Sequence, residues 1–141
     1  MKKWNIAGLA LFLIVLVVAI WTFIGDGTGE IPFLPIFAAV CAGILFAGLE
    51  RFAGDTKYGV FLIALLWTGY WGCVSFGFFL IAGMHAFAVV FGHGGSGGAR
   101  QVAAFLMYGY FVVALLFVSL ATANLIRFFR ALFSLPKLTN N

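Results

Sequence analysis

His85, His93 and Arg100 are the residues whose types best suit chemistry, because imidazoles ligate metals or move protons and a guanidinium holds anions. They stand close in sequence: His85 in an apolar run, His93 and Arg100 in and just after the glycine-rich loop at 92–98. A bis-histidine haem needs ligands from facing elements, and a zinc site needs three or four ligands. Two histidines with no Cys, Asp or Glu beside them fall short, so neither metal nor cofactor is expected. A partly solvated place at a membrane interface is the expected role of both, and the three residues stand as a candidate polar site. The loop lacks the Gly-Lys-Ser/Thr ending and the preceding strand of a phosphate cradle, and reads as a flexible linker.

Other chemistry is thin. No Ser-His-Asp set, paired carboxylates or Cys-His arrangement can be assembled, so no enzyme is expected and no catalytic residue is assigned. Cys41 and Cys73 lie within apolar runs and read as small hydrophobes. A proton-driven transporter needs a carboxylate inside a helix. The nearest candidate, Glu50, sits at a helix end beside Arg51, in a charged stretch from Glu50 to Lys57 that reads as a solvated turn. Trp67, Tyr70 and Trp71 read as packing or lipid contacts.

What positions these residues is an apolar chain. Of 141 residues, 65% are hydrophobic and only 9% charged, with mean hydropathy +1.16. Too little polar surface exists to cover a water-soluble core, so the expected class is an all-α integral membrane protein with a single four-helix transmembrane domain over residues 1–141. The spans are expected at about 6–24, 31–49, 59–81 and 102–126, each long enough to cross a hydrocarbon core. The run at 6–24 follows Lys2 and Lys3 and is too long, with no small-residue cleavage site, for a signal peptide. Between Tyr58 and Ala99 no formal charge occurs, a stretch about twice as long as one span needs. Residues 82–92 are therefore left as a helical extension, an interfacial segment or a re-entrant one, before an outer loop at 92–98.

Charge selects this topology. Lys2, Lys3, Arg51, Lys57, Arg127, Arg130 and Lys137 fall on one side of a four-span fold, leaving Arg100 alone on the other among eight Lys and Arg. Five spans would move Arg127, Arg130 and Lys137 across. The positive-inside bias therefore places both termini in the cytoplasm; the expected location is a bacterial inner membrane. The net charge of +4 reflects this topology and not nucleic-acid binding, because the cations are dispersed at the ends of apolar runs.

Small residues recur every fourth position at Ala39, Gly43 and Ala47 and again at Gly69, Cys73 and Gly77. Smooth stripes of this kind let membrane helices approach closely, so these six residues form the expected packing interface, with the second and third spans as a tight pair. Ser119 and Ala123 make a shorter stripe. The segment from Arg127 to Phe133 is expected along the inner interface, with Arg127, Arg130 and Lys137 toward lipid phosphates.

Three pieces resemble the TctB-like small membrane subunit of tripartite tricarboxylate transporters. The turn from Gly27 through Pro32 to Pro35 enters a helix carrying Gly43 and Gly48; Leu66-Trp67-Thr68-Gly69-Tyr70-Trp71 stands where that family has an aromatic-glycine break; and Phe129 to Pro136 is similar to its terminal Phe-Arg, aliphatic, Leu-Pro ending. Lys137 follows where the family has glycine. The resemblance implies an accessory subunit that pairs with a large permease and a periplasmic solute-binding protein, and it carries over no substrate-binding residue. The functional expectation is a non-catalytic small integral subunit of a larger inner-membrane assembly, its partners being lipids and a larger polytopic membrane protein. A homo-oligomeric small channel and a membrane immunity or exclusion protein are the alternatives.

Overall fold

The computed structural model describes residues 2–25, 33–53, 56–91 and 97–134. Among them the chain forms four α-helices, α1 (Lys2–Gly25), α2 (Phe33–Ala53), α3 (Lys57–Phe91) and α4 (Gly97–Ser134). All four are long and apolar enough to cross a membrane. In hydrocarbon every backbone N–H and C=O must be paired within the segment, and an unbroken helix does this. Pro35 lies in the first turn of α2, where a missing donor is tolerated.

The ends of the elements differ from the expected spans. Residues 82–91 continue α3 as helix, and the segment from Arg127 to Phe133 belongs to α4, which starts inside the glycine loop at Gly97. With 35 and 38 residues, α3 and α4 are roughly 52 and 57 Å long, well beyond a hydrocarbon core of about 30 Å. Pro32, His93 and Lys137 lie outside the described residues.

A tight cap starts α3. The Thr56 hydroxyl accepts the Gly59 amide at 3.0 Å and donates to the Ala53 carbonyl at 3.0 Å, while the Thr56 amide donates to the same carbonyl at 3.2 Å. This fold-back leaves no room at Gly59, where a Cβ would strike the Ala53 carbonyl and the Thr56 hydroxyl.

The chain divides into two compact units, 1–67 with 124–141, and 68–123. The first contains α1, α2, the start of α3 and the end of α4. Phe12, Ala19, Ile63, Ala64 and Trp67 are buried in it, Trp67 meets Phe46 edge-on at 5.9 Å, and Phe61 packs at a tilt of 33° on Phe128 at 4.6 Å. Gly43 is buried here, with Ala39 and Ala47 half-buried beside it on α2.

In the second unit, α3 and α4 share a column of rings. Trp71 lies flat on Phe117 (5.2 Å, 4°), Phe117 on Phe78 (5.6 Å), and Phe78 on Tyr110 (6.0 Å). Ser75 donates to the Ala114 carbonyl at 2.9 Å, a buried interhelical bond beside the column. Trp71 is fully buried and Tyr70 nearly so, the packing role expected of them.

Polarity is inverted relative to a water-soluble domain. Ile14, Val17, Leu34, Phe37, Leu45 and Phe105 are exposed, while Asn5, Glu50, Ser75 and Asn124 are buried. A surface of this kind belongs against lipid or another protein. Trp4 and Trp21, near opposite ends of α1, are 67% and 79% exposed, placed as interfacial anchors are.

Candidate functional site

The buried polar side chains of the first unit converge on one cluster. Glu50 stands in the last turn of α2, where the negative end of the helix dipole makes a carboxylate costly. Arg127 offsets that cost: its guanidinium donates to Glu50 Oε1 at 2.7 Å, with the two side chains 17% and 3% exposed. The other carboxylate oxygen, Oε2, accepts the Asn5 amide at 3.2 Å.

Asn5 and Asn124 complete the cluster. Asn124 Nδ2 donates to Asn5 Oδ1 at 2.9 Å, and Asn5 Nδ2 donates to Asn124 Oδ1 at 3.3 Å, a reciprocal amide pair with both residues fully buried. Asn124 and Arg127 are three apart on α4 and so share one face. That face meets Asn5 from the first turns of α1 and Glu50 from the end of α2. Three helices are therefore fixed at one level by a carboxylate, a guanidinium and two amides.

This corrects two readings of the sequence. Glu50 is not in a solvated turn: α2 continues to Ala53 and the carboxylate is buried, which Arg127 makes tolerable. Arg127 is not turned toward lipid phosphates, because Glu50 takes its guanidinium. Arg130, one turn on, is exposed. Asn5 and Asn124 were missed as site residues. A lone amide inside an apolar stretch, three before an arginine, was the available signal for Asn124.

The expected polar site at His85 and Arg100 is not drawn together by the polar contacts these residues make. His85 Nδ1 lies 2.9 Å from the Ile81 carbonyl of its own helix, and its ring packs on Tyr110 at 5.5 Å, extending the aromatic column. Arg100 Nε donates to the Val89 carbonyl at 2.8 Å, in the last turn of α3. That contact accounts for the isolated cation: it satisfies a carbonyl at the negative end of a long helix.

The two small-residue stripes part company. The α2 stripe is inward, with Gly43 buried. On α3, Gly69 and Cys73 are exposed and Gly77 half-buried, with nothing within 4 Å of a Cβ built at Gly69 or Gly77. Gly72 and Gly83 are equally open. On α4, exposed Ser119 and Thr122 donate to the carbonyls of Leu115 and Val118 in their own helix.

Four helices of this length and apolarity suggest a multi-pass membrane protein as the class. No family model, curated protein or solved structure matches the chain.

Proposed function

We propose that the chain is a non-catalytic integral subunit of a larger inner-membrane assembly, with both termini cytoplasmic and α3 turned toward a polytopic partner. The observation that carries this reading is the smooth outward face of α3 around Gly69, Cys73 and Gly77, open to close approach by another helix. The polar groups support it from the other side. Both Glu50 oxygens are occupied within the chain, as expected of a device that fixes helix register more than of a transport site. The resemblance to the TctB-like subunit gives the partner its most concrete form, the large permease of a solute transporter.

The test is affinity capture of the tagged chain in mild detergent, followed by identification of what accompanies it. A large polytopic protein is expected with the wild type and is lost with Cys73→Leu, while the variant keeps its own elution volume. Recovery of a monodisperse homo-oligomer alone contradicts the reading and favours a self-assembled channel. Liposome flux by the purified chain decides that alternative.

A further inference from the structure

Two grooves in the first unit each set one exposed arginine over apolar side chains. One is lined by Ile6, Ala47, Gly48, Glu50 and Arg51. The other, on the end of α4, is a shallow groove of about 470 Å³ lined by Ile126, Phe129, Arg130, Phe133 and Ser134. They differ in one respect that decides what each can hold. A carboxylate lines the first, so an anion entering it meets Glu50 as well as Arg51. No acid is among the described residues that line the second.

The geometry points to the Arg130 groove as a seat for one anionic phospholipid, the headgroup phosphate on Arg130 and part of an acyl chain along Ile126, Phe129 and Phe133. Glu50 is the only acidic residue among the described ones, and Arg127 occupies it, so among the described residues no carboxylate competes for the Arg130 guanidinium. A guanidinium offers a phosphate two parallel N–H donors, and in a zwitterionic headgroup the ammonium partly offsets the phosphate charge that those donors would meet. The wall is formed by two rings one helical turn apart, Phe129 and Phe133, nearly parallel at 6.4 Å and 22°, with Phe128 edge-on to Phe129 at 5.4 Å. Ile126, Phe129 and Phe133 are 49%, 45% and 72% exposed, apolar area that an acyl chain would remove from contact with headgroups and water. Ser134 contributes no donor, because its hydroxyl already serves the Ala131 carbonyl at 2.8 Å. Selectivity therefore rests on Arg130. This seat depends on the membrane reading of the helices and not on the proposed partner.

Native mass spectrometry of the purified full chain, in mild-detergent micelles doped with phosphatidylglycerol or with phosphatidylcholine, reads lipid retention directly. The wild type should retain phosphatidylglycerol in preference. Arg130→Gln should lower that retention roughly fivefold, the worth of one cation at an anionic lipid surface. Arg130→Lys should keep part of the preference, Phe133→Ala should weaken retention of both lipids, and Arg51→Gln should leave the preference intact. Equal retention of the two lipids by the wild type overturns the assignment, as does unchanged retention by a normally eluting Arg130→Gln. Displacement by inorganic phosphate alone shows that the acyl groove plays no part and also overturns it. If Arg130→Gln lowers partner capture but not lipid preference, a protein and not a lipid occupies the groove. Loss of partner capture by Cys73→Leu with lipid preference intact rejects only the partner reading.

Discussion

Arg127 and Glu50, 77 residues apart, meet at 2.7 Å in an ion pair that joins the end of α2 to α4. The two halves of the pair are unequal. Glu50 is almost wholly enclosed, whereas Arg127 keeps some exposure and a long stem that can reach toward headgroups. Removing the arginine strands a buried charge; removing the carboxylate leaves a cation with somewhere to go. Arg127→Leu is therefore expected to cost about 3–5 kcal/mol and Glu50→Gln clearly less, with the double variant Glu50→Leu/Arg127→Leu recovering much of the loss. Thermal unfolding in detergent checks the order. Equal losses for the two single variants would show that Glu50 is not enclosed.

The Asn5 and Asn124 amides tie the first turns of α1 to the same face of α4. Asn5→Ala is expected to destabilise by about 1–2 kcal/mol, because it removes three buried side-chain bonds worth about 0.6 kcal/mol each between membrane helices. Asn5→Asp should be worse, since it sets a second carboxylate beside Glu50. Both are read by the same unfolding assay, and an Asn5→Asp variant as stable as wild type would refute the contact with Glu50.

Gly59 sits where the Thr56 cap folds back on Ala53, with no room for a methyl group. Gly59→Ala should force the cap open, while Gly69→Ala, with open space around it, should leave the monomer's stability within about 0.5 kcal/mol. Amide hydrogen exchange at Gly59 and Val60 separates the two: faster exchange is expected only in Gly59→Ala.

Four apolar helices were legible in the sequence because run length against the hydrocarbon core is a strong signal. Their ends were less so. Residues 82–91 exceed what one span needs, and nothing local distinguishes a protruding helix from a segment lying flat. The polar cluster was legible only in fragments. Glu50 stood next to Arg51 and invited a local reading, while its partner lay two helices further along. Asn5 stood behind Lys2, Lys3 and Trp4 and looked like a flank. The charge bias had already put Arg127 on the same side as Glu50, so the pairing was within reach of topology and needed only the face shared by Asn124 and Arg127. The spacing-four stripes were visible, but spacing is blind to direction: Gly43 is buried and Cys73 exposed.

That difference in direction supplies the most direct measurement. With Cys41→Ala, Cys73 is the only thiol, and a photoreactive group attached to it samples whatever lies against α3 in native membranes. The expected result is a crosslink to a larger polytopic membrane protein, and none from a thiol placed instead by Gly43→Cys in a Cys41→Ala/Cys73→Ala background. Crosslinks from Cys73 only to lipid or to a second copy of the chain would contradict the proposed role as a partner-docking subunit.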